Sequence, residues 1–444
     1  MSTNNSPPAV IDRKRLLLNR IIIVLLTIGG VCSFYTKLKG ITQDTPCAVY
    51  GIDFISYYTA AQLIKEGKGS AIYAELTNDF STVSSGTFLE TAQKAGFHST
   101  PTRYLYLPVF LAPFSWFTQF SFPTAAHLWL SINSIAIILV IILQWQIAKG
   151  LPHPVLRLLL LIALNLASYP LFYALKLGQT TIIVYLLMCL IYWLSLHNRE
   201  VLSGIFLGII TALKFSPLLF IVYFLYRKRY RLVLSSCLTI LLLLAISLLT
   251  YGLPLHIRYW NYLTKLSGVG IAAWSNQSID AFMLRLSTKE SILHFHPLRT
   301  PLFISLLQYL IALSVIGTVF FSLGGKEKRN CTRLYPLEFS ALTLCLLITP
   351  AISWLHYFTL VNLAIILMVT AYVHLPHYRR WFVLPLVFLG YTMSAFHLDW
   401  ISLIELFGQG YVTRLLTSFP TIGTCLLLAV NLSLIKTSRT VFTP

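Results

Sequence analysis

The sequence predicts an all-α protein, a polytopic transmembrane helix bundle of about twelve membrane segments with two outer loops roofing a cavity. Three observations carry that expectation. The chain is 57% hydrophobic and only 11% charged, whereas soluble domains carry about 25% charged residues; its mean hydropathy is +0.74. Apolar runs approaching the roughly 20 residues of a spanning helix recur along nearly the whole length. The net charge of +19 is spread over short clusters between those runs, at Arg13/Lys14/Arg15, Arg227/Lys228/Arg229, Lys326/Lys328/Arg329 and Arg379/Arg380. That distribution follows the positive-inside rule and supplies no basic face for nucleic acid, so the expected partner is a lipid bilayer.

Each element follows in order. Residues 1–16 read as a cytoplasmic tail, and 17–35 as an outward span retained as an anchor, because no cleavage pattern follows it. Residues 36–104 form the first outer loop, in which 54–66 has an amphipathic pattern suited to lying on the membrane surface. Residues 105–118 are apolar but too short to span, and contain Pro108 and Pro113, which suits a re-entrant or interfacial segment. Spans are expected at 124–147, 152–175 and 179–196. The block 201–226 has basic residues at both ends but only about half the length of two spans. Two short helices meeting at Lys214-Phe215-Ser216-Pro217 reconcile those facts, with the irregular backbone lining a cavity. Residues 231–251 then lead out, 252–300 form the second outer loop, and further spans are expected at 301–323, 336–350, 355–373, 381–397 and 419–436. Residues 437–444 close the chain as a second cytoplasmic tail, leaving one transmembrane domain over 17–436. Of the seven cysteines only Cys47 falls on the outer side, so no disulfide framework is expected.

This topology brings scattered polar residues to one face. Asp53 is an acid among apolar neighbours near the membrane surface, where desolvation would make it a better base toward a hydroxyl; equally, it stands where a helix cap would. Lys214, costly within a membrane, suits a lipid phosphate, or snorkels to a nearby interface. His356, at the start of a helix, could share a proton with Asp53 or donate to a phosphate oxygen, or be a bland interfacial histidine. Gln179 opens a helix after Gly178, which also fits a plain turn. Asn276 and Gln277 could bond sugar hydroxyls with Trp274 stacking on a sugar face, and Arg285 could meet a phosphate; a capped loop helix explains the same cluster. His294 and His296 have no cysteine or carboxylate at ligand spacing, so neither a metal nor another cofactor is expected.

The ordered pieces Gly51-Ile52-Asp53-Phe54 with Tyr57-Tyr58, Gly67 to Tyr73, Tyr104 to Phe110, Leu177-Gly178-Gln179, Gly204 to Pro217, Asn276-Gln277-Ser278 with Arg285, and Thr349 to Tyr357 resemble the integral-membrane glycosyltransferases of the GT-C class, and among them glycosyltransferase family 87. The resemblance covers roughly residues 17–375, with Leu107-Pro108 standing where the family usually has two prolines. It implies an acidic base in the first outer loop, here Asp53, and a sugar donor carried on polyprenyl phosphate, mannose by default. The expected reaction is transfer to a hydroxyl of a glycan or glycolipid acceptor on the outer face of a bacterial inner membrane, with Lys214 and either Arg285 or His356 at the departing phosphate. The alternatives are an O-antigen polymerase or ligase, which relies on basic residues in a large late loop, and a lipid-linked glycan flippase, which predicts inverted repeats.

Overall fold

The computed structural model describes residues 13–43, 51–73, 79–266, 268–323, 334–372, 377–396 and 400–442. The N-terminal residues before these, Cys47 and the Lys326/Lys328/Arg329 cluster lie outside them.

The apolar runs become helices because a chain in hydrocarbon must satisfy its backbone hydrogen bonds internally. Among the described residues, five helices are long and apolar enough to cross a membrane: Arg20–Lys39, Phe122–Gly150, Tyr230–Leu266, Leu302–Ser322 and Phe419–Ser438. The pair Pro154–Leu166 and Tyr169–Leu177, bent by 55°, makes up to a sixth. Their outward faces are apolar, with Leu249 and Phe321 almost fully exposed, as a lipid-facing surface requires. Five further apolar helices are shorter, Thr181–Leu196, Glu200–Leu213, Tyr335–Ile348, Leu355–Ala371 and Val383–Ala395. At 1.5 Å per residue these reach only about 20–25 Å, so a loop layer can descend between their ends.

The broken pair is present as Glu200–Leu213 and Leu218–Tyr226, with Lys214 extended between them. Its two ends are clamped together, since Arg229 Nε donates to Glu200 Oε1 at 2.8 Å and Arg229 Nη2 to the Ser195 carbonyl at 2.7 Å. Arg227 pairs with the buried Glu338 of the neighbouring helix Tyr335–Ile348. Gly204 and Gly208, one helical turn apart, let Glu200–Leu213 lie against Tyr230–Leu266; a Cβ on Gly208 would come within 2.6 Å of the Ser236 carbonyl.

Several expectations need correction. The helix Phe54–Lys65 does not lie on a lipid surface: Phe54 to Ala61 and Leu63 are buried within protein. Its amphipathic pattern faces an aromatic layer made by Phe114, Phe117, Phe122 and Trp129, contributed partly by the short turns within 105–118. The expected span 231–251 ends where placed, at Gly252, whose backbone is non-helical (φ 75°, ψ 158°), but the second loop then opens with further helix, past Pro254 to Leu266. Between the last two expected spans stand two further short helices, Trp400–Phe407 and Tyr411–Leu416. The last helix runs from Phe419 to Phe442, and its membrane-length part, Phe419–Ser438, ends close to the expected 436.

Candidate functional site

The site begins where the first loop meets the helix Tyr169–Leu177. Gly51 N donates to the Lys176 carbonyl and Asp53 N to the Leu177 carbonyl, both at 3.0 Å. Gly178 ends that helix in the left-handed region (φ 71°), and a Cβ there would lie 2.8 Å from that of Phe54. Only glycine fits both demands. Trp129 Nε1 donates to the Gly178 carbonyl at 2.7 Å, and its ring stacks on Phe54 at 5.6 Å. Leu177-Gly178-Gln179 is therefore the seat of Asp53.

Asp53 stands at the N-cap position of Phe54–Lys65, yet its side chain makes no capping bond. Its Oδ2 instead accepts from Gln179 Nε2 at 2.6 Å. The residue is 7% exposed. Burial pushes its carboxyl above the ordinary aspartate value, opposed by hydrogen bonding and by the Lys214 charge.

The opposite wall is built by joining two distant segments. Asn276 bridges to Trp354; Gln277 N donates to the Ser353 carbonyl at 2.6 Å and Leu355 N to the Ser275 carbonyl at 2.7 Å. Ser278 Oγ donates to the Ala351 carbonyl at 2.9 Å. These bonds fix the turn before His356, which is 4% exposed and whose Nε2 has no hydrogen-bond partner among the described residues. Lys214 Nζ donates to Thr181 Oγ1 at 2.9 Å and lies 3.8 Å from the Tyr357 ring centroid. It therefore sits behind a tyrosine of the cavity wall, bonded to Thr181.

Asp53, Gln179 and His356 line one cavity of about 380 Å³, together with Tyr57, Tyr106 and Tyr357. That size lies within the range of small-ligand sites, roughly 300–1,000 Å³. Phe80 and Arg103 from the first loop and Phe295 from the second form its roof, joined by a 2.9 Å bond from Phe80 N to the Phe295 carbonyl.

The remaining sequence candidates are not in the cavity wall, and their expected contacts are corrected accordingly. Asn276 and Gln277 are fully buried and spend their amides on the loop scaffold: Asn276 Oδ1 accepts from Ser353 N, and Gln277 Nε2 donates to the Thr417 carbonyl. Arg285 is also fully buried, donating to Ser418 Oγ and to the carbonyls of Ala273 and Asn276. Burial and the neighbouring Arg414 lower it to about 9. Trp274 packs beside Tyr173, a cavity residue, at 5.8 Å. Sequence reasoning met Tyr57 and Tyr106 only as parts of the resemblance, with no role at the site, and passed over Arg103. Tyr57 lies one helical turn beyond Asp53, a spacing that could have placed it on the same face; the other two carry no such mark.

No curated protein and no solved structure matches the chain. The model of glycosyltransferase family 87 matches residues 104–350, more than half of the 444 residues. The match contains Gln179, Lys214 and the Asn276 cluster, while Asp53 and His356 flank it and reach the same cavity through the fold. The chain belongs to glycosyltransferase family 87 and is an integral-membrane glycosyltransferase.

Proposed function

We propose that the protein transfers a hexosyl group, mannosyl by the resemblance, from a polyprenyl-phosphate-linked donor to a hydroxyl of a glycan or glycolipid on the extracytoplasmic face. Both termini would then be cytoplasmic. The observation that carries this reading is the Asp53 carboxylate, buried in a cavity wall, its side chain making no capping bond and accepting from Gln179. Such a group suits a general base.

In the proposed step the acceptor oxygen attacks the anomeric carbon and its proton passes to Asp53. The bond from that carbon to the phosphate oxygen breaks, its electron pair leaving with the lipid phosphate, and the anomeric configuration inverts. The donor phosphodiester carries one negative charge and the departing monoester up to two, so cationic or donor groups near the phosphate favour the transition state. Lys214 and His356 are suited to that task. Arg285 is withdrawn from it, because its guanidinium is committed to the loop scaffold. Aromatic rings at Tyr57, Tyr106 and Tyr357 offer flat apolar faces to a sugar.

The donor class is tested by offering the reconstituted protein synthetic polyprenyl-phosphomannose, polyprenyl-phosphoglucose and GDP-mannose in parallel with an octyl mannoside acceptor. Consumption of a lipid-linked sugar and not of the nucleotide sugar is expected. Use of GDP-mannose alone would contradict the proposal.

A further inference from the structure

We propose that Tyr57 is a positioning residue for the base: its hydroxyl fixes the orientation of the Gln179 amide, and so the side on which Asp53 is held. This inference rests on the reading of Asp53 as the base.

The two ends of a glutamine amide have nearly the same shape, so its orientation is decided by its hydrogen-bond partners. An ionised carboxylate only accepts, and Gln179 must therefore turn Nε2 toward Asp53 Oδ2, 2.6 Å away. Its Oε1 then needs a donor, which Tyr57 supplies at 3.1 Å. With that hydroxyl hydrogen committed, the 3.2 Å contact between Tyr57 and Tyr106 requires Tyr106 to donate. The 3.4 Å contact between Tyr106 and Thr180 then requires Thr180 to donate in turn. The hydrogen bonds thus run one way, from Thr180 through Tyr106, Tyr57 and Gln179, and end on Oδ2. Thr102, whose hydroxyl donates to the Ile52 carbonyl at 3.0 Å, also lies against the carboxylate; in this reading Oδ1 takes the acceptor's proton.

Each link stabilises the ionised carboxylate, and buried chains of this kind reinforce one another. Removing the Tyr57 hydroxyl would leave Gln179 Oε1 buried without its donor and let the amide turn its oxygen toward Asp53. The carboxyl would then bind a proton more tightly.

Several titratable or charged groups also face this region. Asp79 and Arg103 come from the first loop, Tyr173 from the helix that seats Asp53, and Lys214 from the break between helices. His356 and Tyr357 face it from the opposite wall, and His294 from the second loop. None of them changes in the substitution tested.

The Asp53 protonation midpoint can be read by infrared difference titration of the full chain in lipid, as the carboxyl stretch present in wild type and absent from Asp53→Asn. Tyr57→Phe should raise that midpoint by about one pH unit, a tenfold gain in proton affinity. A role in packing alone would alter thermal stability without moving it, so an unmoved or lowered midpoint overturns the proposal. Tyr106→Phe, one link further away, should move it in the same direction by less; if Tyr57→Phe does not fold, this variant decides by the same criterion. Transfer by Asp53→Asn is measured beside them with polyprenyl-phosphomannose and octyl mannoside. Retained turnover there overturns the base reading itself, whereas a lost turnover with an unmoved midpoint in Tyr57→Phe overturns only the role of Tyr57.

Discussion

At the scale of single residues, the site is organised around a carboxylate that does not cap the helix it precedes. Because burial raises its pKa, the folded protein binds a proton there more tightly than the unfolded chain does. Ionised Asp53 is then destabilising, and its contribution worsens as pH rises from the ordinary aspartate value through the folded one. The neutral amide of Asp53→Asn should therefore leave the thermal midpoint at pH 7 equal to or above wild type; differential scanning fluorimetry in detergent checks this, and a clear drop would speak against a buried charge. Activity carries the opposite sign: a base must be ionised, so turnover should fall as pH drops through the raised value, earlier than for an exposed aspartate. Lys214, bonded to Thr181 and set against Tyr357, should behave differently on substitution. Lys214→Met is expected to cut turnover with the lipid-linked donor about tenfold or more while the protein stays inserted and folded. Unchanged donor KM and kcat would reduce Lys214 to an anchor for the helix break.

At the scale of elements, the broken pair was legible because its charged ends and short length admit few other solutions. Gly204 and Gly208 could not be interpreted from sequence, since their reason is a facing helix, Tyr230–Leu266, brought close only by the fold. Gly204→Val should force that contact apart, at a cost of about 1–3 kcal/mol, read as a lowered thermal midpoint with donor KM little changed in the folded fraction. Gly178→Ala is expected to act otherwise: it strains the left-handed turn, pushes on Phe54 and shifts Asp53, so turnover should fall by more than stability explains. The helix Phe54–Lys65 was misread because an amphipathic pattern does not say whether its apolar face meets lipid or protein. The helices Trp400–Phe407 and Tyr411–Leu416 between the last two spans were not anticipated, because Arg414 ties them to the second loop through the carbonyls of Arg285 and Glu290, which leave no pattern in the sequence.

At the scale of the whole molecule, the two ends of the bundle are chemically different. One end gathers Glu200, Arg229, Arg227 and Glu338 into ion pairs, while the other carries the loop layer and the cavity. Placing the paired end in the cytoplasm predicts that, in a cysteine-free background, Ser70→Cys reacts with an impermeant thiol reagent in intact cells and Arg199→Cys does not; labelling of Arg199→Cys would invert the topology. Of the candidate residues, Asp53, Gln179 and His356 were recognisable as polar groups that this topology brings to one side, whereas Asn276, Gln277 and Arg285 carry the same chemical types but are spent on holding the loops. Sequence cannot separate those two uses, because both place polar residues next to the site. The central claim is that this cavity performs glycosyl transfer with Asp53 as its base, and the direct measurement is turnover of polyprenyl-phosphomannose by wild type, Asp53→Asn and Asp53→Ala in lipid. Loss on the order of 100-fold or more in both variants, with Asp53→Asn fully folded, is the predicted result; an Asp53→Asn enzyme that turns over near the wild-type rate would contradict it.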